Sequence, residues 1–116
     1  MATKAEIRDR ALRKLGVLAT GQTPDANAAS LATTAYDEIH AELSSLGLAV
    51  WAATADCPEK LSEHVANLIA YRLVNDFSVS SERYQRIVAD SSRSESYIHR
   101  MINGEYIYAP VDYLDY

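Results

Sequence analysis

Cysteine is nearly absent from this chain, with Cys57 the only one in 116 residues. A lone thiol cannot cross-link its own chain, so no disulfide framework is expected and a reducing compartment is the natural setting. No stretch approaches the ~20 consecutive apolar residues of a membrane span. The segment from Met1 to Lys14 has no apolar run ahead of a small-residue cleavage site, so a secretory signal is not expected and the protein reads as made in the cytoplasm. Between Leu15 and Glu59 there is no lysine or arginine, while Asp25, Asp37, Glu38, Glu42, Asp56 and Glu59 give that middle a net charge of -6. The first 15 residues carry +3, residues 60–103 carry +1, and the total is -5. An acidic chain with separated basic and acidic regions makes a poor general nucleic-acid binder, because affinity there comes mostly from neutralising phosphates. Such a chain is suited to pairing with copies of itself.

Glycine and proline are also sparse, and all seven (Gly16, Gly21, Pro24, Gly47, Pro58, Gly104 and Pro110) fall between stretches of helical periodicity. They mark the expected boundaries. A first helix is predicted from Thr3, whose T-x-x-E spacing to Glu6 makes a capping box, to Gly16, with Ile7, Ala11, Leu12 and Leu15 as its core stripe. Glu6 with Arg10 and Asp9 with Arg13 are acid-before-base pairs at i,i+4. Thr23 and Pro24 suggest an N-cap and first turn for a second helix running to about Leu46, with Ala28, Leu31, Ala35, Ile39, Leu43 and Leu46 inward. The apolar connection from Leu48 to Cys57 lacks that spacing, and one short extended piece is expected in it. Pro58 opens a third helix to about Phe77, with Leu61, Val65, Leu68, Ile69, Leu73 and Phe77 inward. After a serine-rich break, a fourth helix runs to about Asn103. Its stripe is Tyr84, Ile87, Val88, Ser91, Ile98, Met101 and Ile102, and its small polar centre fits either close helix contact or exposure. The fold class is therefore all-α, a four-helix bundle over residues 1–103. A chain of this size buries enough surface to stand without metal or disulfide staples.

Chemistry-bearing patterns are missing. A ferritin-like metal site needs Glu-x-x-His on two helices with a glutamate from each of two others. Asp37 with His40 is the nearest approach, and nothing comparable recurs, so no metal and no cofactor is expected. His40, His64 and His99 read as surface or satisfied interface residues, and Cys57 as buried and inert. Phosphate loops, nucleophile elbows and zinc spacings are absent, so the chain does not read as an enzyme. The connection from Gly16 to Thr23 is too long for a helix-turn-helix, and the second helix carries no base to face DNA.

Residues 104–116 hold four of the eight tyrosines and read as an extended aromatic C-terminal arm. Tyr106, Ile107, Tyr108, Val111, Tyr113, Leu114 and Tyr116 would be costly to leave in water, and aromatics of this kind anchor protein interfaces. Fully extended, the arm would reach about 43 Å. With Tyr106 and Tyr108 on one side of a strand, addition to a sheet edge is one mode of docking. The other reading is that the arm folds back over its own bundle.

The opening Thr3-Lys4-Ala5-Glu6-Ile7, followed by Ala11-Leu12-Arg13-Lys14-Leu15-Gly16-Val17, resembles the N-terminus of head-to-tail adaptor proteins of tailed bacteriophages. The likeness is strongest to the tail accessory, or packaged-DNA-stabilising, proteins of short-tailed phages, and the order of elements is similar along nearly the whole chain. This resemblance implies a virion protein that forms a ring, a dodecamer, below the portal. It would extend the DNA channel, offer a platform to the tail nozzle or tube protein, and let packaged DNA pass without sequence-specific binding. A ring needs one face of a subunit to complement a different face of the next. Asp37, Glu38 and Glu42 are expected to face a neighbour's Arg8, Arg13, Arg83, Arg86 and Arg93, and the tyrosine arm to dock on the portal. The competing reading is a small helical regulatory module that binds another protein through its tyrosine tail.

Overall fold

In the computed structural model, residues 2–19, 21–48, 51–52 and 54–107 are described. The fold is all-helical: α1 (Lys4–Leu15), α2 (Ala26–Ser45), α3 (Glu59–Leu73) and α4 (Ser81–Ile107). Local signals set most boundaries. Thr3 and Glu6 make the capping box in both directions, with Thr3 N donating to Glu6 Oε1 at 2.8 Å and Glu6 N donating to Thr3 Oγ1 at 3.1 Å. That cap draws the exposed Glu6 carboxyl below its ordinary range. At the other end of α1, Gly16 sits in the left-handed region at φ 81°. Val17 N then reaches Leu12 O and Gly16 N reaches Arg13 O, the paired bonds of a Schellman terminus. The C-terminus of α2 repeats the device at Gly47 and Leu48.

Other boundaries move. Asp25, not Thr23, caps α2, its carboxylate accepting from Ala28 N at 2.8 Å. A charged oxygen at the N-cap outcompetes the hydroxyl two residues earlier, so the helix begins after Pro24. Helix α3 stops at Leu73 rather than near Phe77, because Asn75 and Asp76 are poor helix formers. Phe77 still packs against the core from the connection. Ser80 caps α4 by accepting from Arg83 N at 3.2 Å. Helix α4 then passes through Gly104 to Ile107 instead of stopping near Asn103. Glycine in a helix interior costs about 1 kcal/mol and need not end it unless the backbone turns left-handed.

Helix α3 lies at the centre, packed against all three others, while the described backbones of α2 and α4 do not come within 8 Å of each other at Cα. Eight of its residues are buried, among them Ser62, Asn67 and Ala70 outside the expected stripe. This departs from a square bundle, in which each helix has two neighbours. Helix α1 fills the notch on one side of α3, contributing Ile7, Ala11, Leu12 and Leu15 to the core as expected. The predicted i,i+4 pairs do not form. Arg10 turns instead to the tertiary partners Ser62 and Glu63 of α3, while Asp9 pairs with its sequence neighbour Arg8.

The connection between α2 and α3 is tied at two points. Ala2 and Cys57 form an isolated antiparallel bridge, with N–H···O bonds of 3.1 and 2.9 Å, which is the short extended piece anticipated there. Trp51 enters the core, donating from Nε1 to the Tyr36 hydroxyl at 3.0 Å. His40 Nε2 bonds the Trp51 carbonyl oxygen at 2.7 Å, and its ring meets the indole edge-on. His40 is thus a buried core residue and not a surface one.

Candidate functional site

The face of α3 opposite α1 is open. Ala70 lines a recess with Lys14 of α1, whereas Leu68 lies two residues away, about 200° around the helix, and points out between α2 and α4. There the three helices enclose a groove of about 280 Å³. Its walls include Leu46 at the C-cap of α2, Leu68 and Tyr71 from α3, and Ser91 and Ile98 from α4. Leu46 is 62% exposed and Tyr71 48% exposed, two of the three large hydrophobic side chains left uncovered on the described surface. The third, Tyr84, is 43% exposed. It precedes Ser91 by seven residues, and so continues the same stripe of α4. Leu46 and Tyr84 were expected in the core. Both are instead exposed.

The groove has an acidic rim. Glu42 of α2 and Glu95 of α4 line it, and Glu38 sits one turn before Glu42. Arg72 is held twice, donating to Glu38 at 3.3 Å and to Glu42. Asp37, the third acid expected to face a neighbour, takes Lys4 Nζ at 2.8 Å. All three carboxylates are more than half exposed, so these contacts leave them accessible.

The basic residues divide differently from the expectation. Arg8 pairs with Asp9, Arg93 with Asp90, and Arg83 gives its Nη1 to the Lys14 carbonyl at 3.0 Å. Lys14 itself pairs with Glu63. Arg13 and Arg86 have no ion-pair partner among the described residues, and both are exposed. Arg86 lines the recess between α1, α3 and α4, on the side of α3 away from the groove. The structure brings Lys14, Arg83 and Arg86 together there and separates them from the acidic face.

The small polar centre of α4 is a close contact. Ser94 is buried, accepting from Asn67 Nδ2 at 2.8 Å and bonding His64 Nδ1 at 2.9 Å. His64 also stacks on Tyr97 with centroids 4.1 Å apart, and burial lowers its pKa. The signal in the sequence was the run of serines at helical spacing opposite Asn67. Asn67 Oδ1 has no donor among the described residues. Burial pushes the Cys57 thiol up to about 12, far from the thiolate form.

Of the aromatic arm, Tyr106 and Ile107 fall in the last turn of α4, which removes the expected extended conformation at those two positions. Tyr108, Val111, Tyr113, Leu114 and Tyr116 lie outside the described residues. Among the described residues no cluster of three or more His, Cys, Asp or Glu side chains could hold a metal ion, and no helix is long and apolar enough to cross a membrane. No protein-family model, no curated protein and no solved structure matches the chain.

Proposed function

We propose that this chain is a structural virion protein, a head-to-tail adaptor that forms a ring beneath the portal of a short-tailed bacteriophage. In this role twelve-fold copies extend the DNA exit channel and present a platform to the tail nozzle or tube protein. Packaged DNA slides past without base-specific contacts. Two features support the reading: the Ala11-Leu12-Arg13-Lys14-Leu15-Gly16-Val17 signature at the end of α1, and the groove that the fold leaves uncovered on the far side of α3. The groove carries the argument. A fold this small that spends Leu46, Tyr71 and Tyr84 on its surface gains by covering them with another molecule. The tyrosine-bearing residues from Tyr106 onward supply further anchors, assigned in this proposal to the portal.

Electron microscopy of the protein co-expressed with the portal protein of the same phage tests the role. Rings of added density on the portal are expected, and portals that stay bare refute it. A chain ending at Asn103 removes the whole arm and only the last turn of α4. It should keep its helical circular dichroism and lose portal binding, and retained binding would show that the arm is dispensable.

A further inference from the structure

We propose that the groove is the socket for a second copy of this chain, and that it receives the α1/α4 face carrying Lys14, Arg83 and Arg86. The inference deepens the adaptor reading and rests on it only in holding that copies meet head to tail. Four observations converge. The groove is apolar at its floor, with Leu68 and Ile98, and exposes the ring of Tyr71. Its rim keeps a negative charge, because the single arginine there, Arg72, faces Glu38, Glu42 and Glu95. The opposite side of α3 has the reverse balance. Lys14 and Arg83 are engaged within the chain, while Arg86, which lines the same recess, stands exposed and without an ion-pair partner among the described residues. Finally, the two surfaces are about 200° apart around α3, as the positions of Leu68 and Ala70 show.

Two complementary patches on opposite sides of one subunit make a heterologous contact, which closes into a ring or continues as a filament. Arginine suits both properties of this groove. Its aliphatic stem lies against apolar walls while the guanidinium reaches the rim, where it can stack on Tyr71 and pair with Glu42 or Glu95. The internal hold of Arg72 on Glu42 is between exposed groups, so exchanging it for a partner's arginine costs little.

Sedimentation velocity at low salt and up to millimolar protein provides the test, using three forms of the full chain. Wild type should grow beyond a dimer with concentration. Glu42→Arg/Glu95→Arg and Arg86→Glu should each stay monomeric, with association weakened at least tenfold. Mixed in equal amounts, the two variants should recover growth, because each altered face then meets its opposite. Circular dichroism verifies that both variants fold. A wild type that remains monomeric, variants that associate like wild type, or a mixture that stays dispersed would each overturn the socket. The adaptor role fails separately: a chain that assembles this way yet leaves portals bare keeps the socket and loses the role. Portal rings built normally from the Glu42→Arg/Glu95→Arg chain would do the reverse.

Discussion

Arg83 of α4 closes the C-terminus of α1 from outside, its Nη1 donating to the Lys14 carbonyl at 3.0 Å while its guanidinium covers Gly16. A cation against the last carbonyls of a helix complements the negative end of the dipole and satisfies an orphan acceptor. Arg83→Ala should therefore destabilise by about 1 to 2 kcal/mol. Gly16→Ala should cost a similar amount, on the order of 1 to 2 kcal/mol, because φ is positive there. A methyl group would also sit 3.2 Å from the guanidinium carbon. Urea unfolding of both single variants and the double variant checks this. The double should lose less than the sum, since removing Arg83 clears the space the methyl needs.

Tyr36→Phe leaves the Trp51 indole N–H buried without its acceptor. The expected loss is about 1 to 3 kcal/mol. Trp51 is the only tryptophan, so its fluorescence reports both the local change and the unfolding midpoint.

Stability should fall as pH drops below about 6.5, and His64 is one source. Burial holds its folded pKa below the ordinary value, with Glu63 opposing weakly. The unfolded chain then takes up the proton first as pH falls, which favours unfolding in the window between the two values. Neutral pH is unaffected. His64→Gln should flatten the dependence of the urea midpoint on pH over that window, and an unchanged slope would assign it elsewhere. At lower pH the Glu6 carboxylate adds a second loss, because its folded pKa is also depressed and protonation undoes the capping box.

Cys57 is fully buried and its thiol is held far from ionisation. A thiol-specific reagent at about pH 8 should modify the native chain only at the rate of opening, and the chain in urea at once. Rapid labelling without denaturant would show that the Ala2–Cys57 bridge opens on its own.

Helix termini were legible in the sequence where one signal acted alone. Thr3 with Glu6 and Gly16 with Val17 specify both ends of α1 through bonds to near neighbours, so three or four residues suffice to read them. Thr23 failed because Asp25, two residues later, caps the helix instead by accepting from Ala28 N, and Phe77 because an inward-facing residue need not be helical. Gly104 marked no end because a glycine stops a helix only when it turns left-handed. The groove was not legible. Its existence depends on α2 and α4 taking separate flanks of α3, a choice no helical stripe encodes, and Leu46 and Tyr84 were read as core for that reason. The acidic run of α2 was visible as charge, but its pairing with Lys4 and Arg72 joins residues 30 to 34 positions apart.

The bridge between Ala2 and Cys57 sets an order of events at the ribosome. Helix α1 is synthesised first, yet its bridge partner and the α3 surface it packs on emerge more than 40 residues later. A 12-residue helix is marginal in water by itself. Until the third helix arrives, α1 has only α2 to pack against, and the α3 part of its surface waits. Stalling synthesis between Gly47 and Leu73 would leave α1 with α2 alone, without the α3 surface and the Cys57 bridge that complete its packing.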